Sequence, residues 1–278
     1  MIRRAAPLVA AVLAGGRVEG AVAAQDAVPA HETFTIESAA VGETRRINVY
    51  TPPGYSAGDA RYPVLFMPDG GVREDFPHVA ATVDAGIRAG EMRPMIVVGI
   101  ENTERRRDMT GPTEVDEDRR IAPRVGGSAA FRRFIAGELM PEVGRRYRVA
   151  GETAIIGESL AGLFIVETLL LQPELFDTYI ALSPSLWWNG GELVRTAEAR
   201  IRARRGVGRA PTVYLSSADE DNIAPAAARL AQVLRAHAGS RLRPRYEPRP
   251  DLTHGTIYRA LAPPVLRDLF RPVPASGP

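Results

Sequence analysis

The stretch Ala154–Leu163, AIIGESLAGL, decides the fold. A short apolar run leads into Gly157-Glu158-Ser159-Leu160-Ala161, and an apolar, helix-like segment continues from Leu160 to Leu171. A serine at a strand-to-helix junction, fenced by small residues, fits a sharp strained turn on which the two backbones approach closely and the hydroxyl stands clear. The usual pattern is G-x-S-x-G; here Ala161 fills the last position, with Gly162 behind it. Read alone, the same stretch also describes a serine capping a helix after a strand. The rest of the chain has to separate a nucleophile from a cap.

Working outward, Thr33–Ser38 and Arg46–Tyr50 alternate in polarity and read as half-exposed strands. Pro63–Met67, Met95–Ile100, Thr153–Ile156, Thr178–Leu182 and Thr212–Leu215 are short, continuous apolar runs of the kind buried on both faces of a parallel sheet. Arg243–Glu247 reads as the last strand. Helical spacing appears over Ala129–Tyr147, Leu160–Leu171 and Pro225–His237, and between Thr256 and Phe270, where Pro263-Pro264 predicts a break. This alternation predicts one α/β domain, residues 25–278, with a mostly parallel central sheet flanked by helices.

Composition removes several function classes. The 278 residues hold no cysteine, which excludes disulfides, thiolate catalysis and cysteine-bound metals. The four histidines, His31, His78, His237 and His254, form no ligand pair, so no metal site and no cofactor is expected. The net charge is only +2 and the arginines are scattered, which argues against a nucleic-acid partner. No run is long enough to span a membrane. The N-terminus carries a basic start at Arg3-Arg4, an apolar stretch from Ala5 to Gly16 and small residues at Ala21–Ala24, which predicts a cleaved export signal over residues 1–24 despite Arg17 and Glu19. The protein is therefore expected in the periplasm or outside the cell, or in the cytoplasm if that segment is not a signal.

A serine hydroxyl becomes nucleophilic only when a base takes its proton, and the base needs an acid to orient it. In chains with this turn, acid and histidine follow the serine in that order. His237 lies within an amphipathic helical pattern, whereas His254 sits in the turn Asp251–Thr256 after the last strand, where the base is required. The acid should follow the strand ending at Leu215, where Asp219, Glu220 and Asp221 are offered. The register of a small residue, two variable residues and an aspartate selects Asp221, with Glu220 as the alternative. Oxyanion donors are expected from the Leu160 N–H and, after the strand ending at Met67, from the Gly71 N–H.

Taken together, Tyr62–Gly70 (YPVLFMPDG), Phe134–Pro141 (FIAGELMP), Gly157–Leu163, Pro173–Asp177 (PELFD), Ser183–Trp188 (SPSLWW) and Thr253–Thr256 (THGT) make the chain resemble the putative-esterase family of α/β-hydrolases over about residues 35 to 270. That family includes siderophore, feruloyl and S-formylglutathione esterases, and the SPSLWW stretch leans toward the siderophore branch. The resemblance implies an α/β-hydrolase fold, with the nucleophile on Ser159 and the base on His254. It implies hydrolysis of a small-molecule ester through an acyl-enzyme, without a cofactor. Feruloyl or acetyl esters of carbohydrates, acyl transfer to an alcohol, and an inactive binding protein on the same fold are the alternatives. Glu158 and Ala161 depart from the common GHSxGG form. Trp187 and Trp188 are candidates for an acyl or aryl pocket, and Arg107, within Arg105–Arg107, for contact with an anionic substrate.

Overall fold

The protein is described by a computed structural model over residues 27–203, 209–237 and 242–272. The expected export signal lies outside these residues. Among them, eight strands form one sheet: β1 (His31–Ser38), β2 (Glu43–Tyr50), β3 (Tyr62–Met67), β4 (Ile96–Ile100), β5 (Val149–Glu158), β6 (Thr178–Leu182), β7 (Thr212–Ser217) and β8 (Arg243–Pro248). Their order is β1-β2-β4-β3-β5-β6-β7-β8. The β1–β2 and β2–β4 pairings are antiparallel, and every pairing from β4 to β8 is parallel.

The helices are α1 (Phe76–Arg88), the one-turn α2 (Arg105–Asp108) and α3 (Asp116–Arg119), α4 (Ser128–Phe134), α5 (Met140–Arg146), α6 (Leu160–Leu171), α7 (Trp188–Ala203), α8 (Ala224–Ala236) and α9 (His254–Leu269). Alternate strand residues feed two cores, because successive side chains point to opposite faces. Val64, Phe66, Val98 and Ile155 pack with Phe131, Phe164, Ala197 and Leu230 from α4, α6, α7 and α8. Leu65, Met67, Val97 and Ile156 pack with Val79, Val83, Leu261 and Val265 from α1 and α9. The expected parallel sheet covered on both faces is what the chain forms.

Two local expectations are corrected. The helix expected over Ala129–Tyr147 is interrupted by a π-helical turn at Ile135–Leu139, directly before Pro141, which has no N–H to continue the regular ladder. Conversely, α9 runs through Pro263 and Pro264 without ending. Its buried face, Ile257, Leu261, Ala262, Val265 and Leu266, is held against the sheet on both sides of the prolines, and tertiary packing outweighs the lost ladder bonds.

The central helix α6 is buried from Leu160 through Leu170, so it reads as apolar all round instead of amphipathic. It is brought unusually close to β5. A Cβ built on Gly157 would lie 2.6 Å from the Ala161 Cβ, which explains why small residues flank the turn. Gly157→Ala is expected to lower stability by about 1–3 kcal/mol in urea unfolding through this overlap. Adding Ala161→Gly should recover part of the loss, and strictly additive effects would show that the contact is not the cause.

Candidate active site

The parallel strands all deliver their following loops to one edge of the sheet, the edge where open α/β sheets bind ligands. Ser159, at the end of β5, has φ 60° and ψ −119°, a conformation L-residues rarely adopt. The turn is pinned by its own backbone: the Ser159 N–H donates to Leu182 O at 3.1 Å, and Ser159 O accepts from the Leu163 and Ser185 N–H groups at 2.9 and 3.0 Å. Leu160 N–H is the first of α6 and has no intrahelical acceptor, so it points out of the helix with the positive end of the dipole.

His254 is the first residue of α9, between the two threonines of a capping box, Thr253 and Thr256. The cap holds the imidazole where its Nε2 lies 2.9 Å from Ser159 Oγ. Its Nδ1 is hydrogen-bonded to Glu220 Oε1. The carboxylate beside the histidine is thus Glu220, the alternative, and not Asp221, which is exposed. The reason is the turn after β7. Ala224 N–H bonds to Glu220 O at 2.9 Å as α8 begins, which leaves the Glu220 side chain folded back over the sheet edge and Asp221 outside. Glu220 Oε2 accepts from Ser183 Oγ at 3.0 Å and from the Ala218 N–H at 3.1 Å, and Ser183 Oγ accepts from that same N–H at 2.9 Å. Asp219, also exposed, ties the acid loop to the base loop through its N–H to Leu252 O, 3.0 Å.

The loop after β3 is crossed tightly over β4. A Cβ on Gly70 would stand 2.2 Å from Ile100 N, so glycine is required there. Gly71 N–H is not open, as expected for an oxyanion donor, but donates to Glu74 Oε2 at 2.7 Å. Asp69, with φ 54°, receives Asn102 Nδ2 at 2.5 Å and a two-pronged Arg105 at 2.7 and 2.9 Å. A cavity of about 470 Å³ opens beside Gly71, lined by His31, Arg46, Glu74, Glu101 and Asn102 among others.

Arg107 is not presented to a ligand: Glu43 and Asp108 bind its guanidinium, and Asp108 also binds the fully buried Arg45 at 2.5 Å. Trp188 is buried, with its Nε1–H donating to Gly111 O at 2.9 Å, and lines a cavity of about 330 Å³ between α6 and α7. Trp187 is half-buried against the core, 6.0 Å from Trp188 between ring centroids.

The residues that sequence reasoning passed over are Ser183, Ser185 and Glu158. Ser185 Oγ is 3.3 Å from Ser159 Oγ, and Ser183 and Ser185 both lie in the loop that follows β6, a strand end that could have flagged them. Glu158 Oε1 lies 3.0 Å from His254 Nε2. The in-line position on that nitrogen belongs to Ser159, and Oε1 is left buried without a hydrogen bond. Burial pushes the Glu158 carboxyl up to about 8, with Asp69, Asp75 and Glu220 adding to the rise and Arg105 opposing it. Burial similarly pushes Asp75 up to about 6.

The sequence profile of the family described as "Putative esterase" matches residues 38–243. The chain belongs to this family. Among the esterases it resembles, ferri-bacillibactin esterase BesA of Bacillus subtilis is 32% identical over 193 residues, covering 62% of this chain and 64% of that protein. An IroE-like serine hydrolase from Shewanella oneidensis superposes with a TM-score of 0.76 at 25% identity, over 87% of this chain and 80% of that one. The BES protein from Bacillus cereus gives 0.77 at 22% identity, over 89% and 96%. The chain spans less than two thirds of the length of the curated relatives it matches. The fold is that of the α/β-hydrolases, as expected.

The raised Glu158 pKa has a consequence for stability. The folded state keeps a proton that the unfolded chain releases at the ordinary value of 4.5, so this group makes stability fall as pH rises from 4.5 to about 8. Glu158→Gln removes that slope. The variant's melting temperature should gain on the wild type's as pH rises through this window, and a constant gap from pH 4.5 to 9 would contradict the assignment.

Proposed function

We propose that this protein is a serine carboxylic-ester hydrolase acting through an acyl-enzyme. The observation that carries the reading is the relay Ser159 Oγ, His254 Nε2 at 2.9 Å, and Glu220 on the far ring nitrogen. His254 takes the hydroxyl proton as Ser159 Oγ bonds to the ester carbonyl carbon. Glu220, held by Ser183 and the Ala218 N–H, keeps the imidazole in the tautomer with Nδ1–H and stabilises its cation. The carbonyl oxygen, now anionic, is received by the Leu160 N–H at the head of α6. The Gly71 N–H joins it when Glu74 gives up its bond. Collapse of the tetrahedral adduct breaks the ester C–O bond, and His254 returns the proton to the leaving alcohol. Water then attacks the acyl-serine with His254 as base, releasing the acid and restoring the serine.

The substrate class proposed is a small ester of siderophore type. Two of its relatives support it: ferri-bacillibactin esterase of Bacillus subtilis and iron(III) salmochelin esterase of Escherichia coli. With an export signal over residues 1–24, the reaction would take place in the periplasm or outside the cell. Among the described residues, no helix is long and apolar enough to cross a membrane.

The test is hydrolysis of short p-nitrophenyl esters, followed by a panel of siderophore, feruloyl and acetyl esters. Ser159→Ala and His254→Ala should each lose at least about a thousandfold in kcat/KM. Glu220→Gln should lose roughly a hundredfold or more, while Asp221→Asn stays within about twofold. An inert wild type, or an unaffected Ser159→Ala, would overturn the reading. The reverse order for Glu220 and Asp221 would overturn the acid assignment alone.

A further inference from the structure

The relay leaves one group at its centre unused. Glu158 belongs to the turn itself, its side chain is only 16% exposed, and Oε1 is 3.0 Å from the ring nitrogen that receives the Ser159 proton. No hydrogen bond satisfies that oxygen. A buried polar atom without a partner is costly, and a buried, unpaired carboxylate more so. A small rotation of the His254 ring would exchange Ser159 Oγ for Glu158 Oε1 as the in-line partner. Resting on the esterase reading, we propose that Glu158 is a second acidic partner of His254 that contends with the Ser159 hydroxyl for Nε2, so that the site becomes reactive when the Glu158–His254 pair loses one shared proton.

The proton count makes the role definite. With one proton between them, either the Glu158 carboxyl donates to Nε2, or the imidazolium donates to the Glu158 carboxylate. Neither form leaves Nε2 free to accept from Ser159. Loss of that proton leaves a carboxylate beside a neutral ring, and the Ser159 O–H becomes the donor to Nε2. When the ring then takes the serine proton, the cation forms between two carboxylates, Glu158 at Nε2 and Glu220 at Nδ1. The titration belongs to the pair and not to either residue.

The surrounding charges act on the carboxyl from every side. Arg105 faces it from α2 and favours its ionised form. Asp69 and Asp75 from the loop after β3, and Glu220 from the loop after β7, oppose ionisation. The buried Tyr258 of α9 lies within the same field. Burial outweighs Arg105, and the Glu158 carboxyl therefore keeps its proton into the neutral range.

Glu158→Gln keeps the shape and removes the second acid. The acidic limb of its kcat/KM profile should move to lower pH by at least about one unit. That is a roughly tenfold gain, relative to the variant's own plateau, one unit below the wild-type limb. The plateau should fall severalfold because one of the two carboxylates beside the imidazolium is gone. Glu158→Ala should shift the limb in the same direction, which guards against a folding defect of either variant. A limb unmoved within about 0.3 of a unit in both would overturn the proposal.

A second readout needs no turnover. The chain has four histidines, so the His254 ring signal in the NMR spectrum is the one absent from His254→Gln. Its titration midpoint should fall in Glu158→Gln. If the wild type hydrolyses no ester, the esterase reading fails while this titration still decides whether Glu158 shares the proton. An unmoved midpoint in an active enzyme rejects the sharing alone.

Discussion

The site depends on one constrained turn. At φ 60° and ψ −119°, Ser159 holds a backbone that costs of the order of 1–3 kcal/mol and survives only because its surroundings impose it. The imposing contacts are specific: the Ser159 N–H is tied to β6, Ser159 O is bound by the first turn of α6 and by Ser185, and Gly157 leaves no room between β5 and Ala161. The return for this strain is geometric. One turn of chain sets the hydroxyl, the Leu160 N–H and the positive end of α6 around a single point. A loop in relaxed conformation would spread them.

Around that turn the sheet acts as an aligning device. Since β4 through β8 are parallel, the loops after β3, β4, β5, β6, β7 and β8 all emerge on one side. Glu220, His254 and Ser159 are far apart in the chain, and the parallel register brings their loops together so that the side chains come within hydrogen-bond reach. The loops do not work independently. Ser183, after β6, is the brace for Glu220, after β7. Arg105, after β4, clamps Asp69, after β3, and also faces Glu158, the last residue of β5.

The architecture was legible because buried parallel strands and helices leave strong, regular signatures; Ser159 and His254, singled out because each sits where a strand hands over to a helix, stand 2.9 Å apart in the folded chain. Glu220 was harder. A sequence register counts residues along the loop, whereas which of Glu220 and Asp221 lies beside His254 is decided by Ala224 bonding to Glu220 O and by Ser183 in the loop after the neighbouring strand. Arg107 failed for a similar reason: proximity of Arg105–Arg107 to a strand end says where they start, but Glu43 and Asp108 decide where the guanidinium of Arg107 ends. Glu74 on the Gly71 N–H, and Glu158 at His254, are pairings across the site with no local pattern to betray them. Backbone arrangement was readable; side-chain partnerships formed across loops were not.

The stitch between Asp219 and Leu252 reaches beyond positioning. It joins the loop carrying Glu220 to the loop carrying His254, and a second bond, Arg249 N–H to Ser217 O at 2.7 Å, lies beside it. Among the described residues β8 is the outermost strand on its side, and its two prolines and charged side chains are features that disfavour edge-to-edge pairing. Were the loops separate, fraying of β8 could carry His254 away from Ser159 and Glu220. Because these two bonds tie the loops together, opening of the edge has to break both, which couples the position of Glu220 to that of His254.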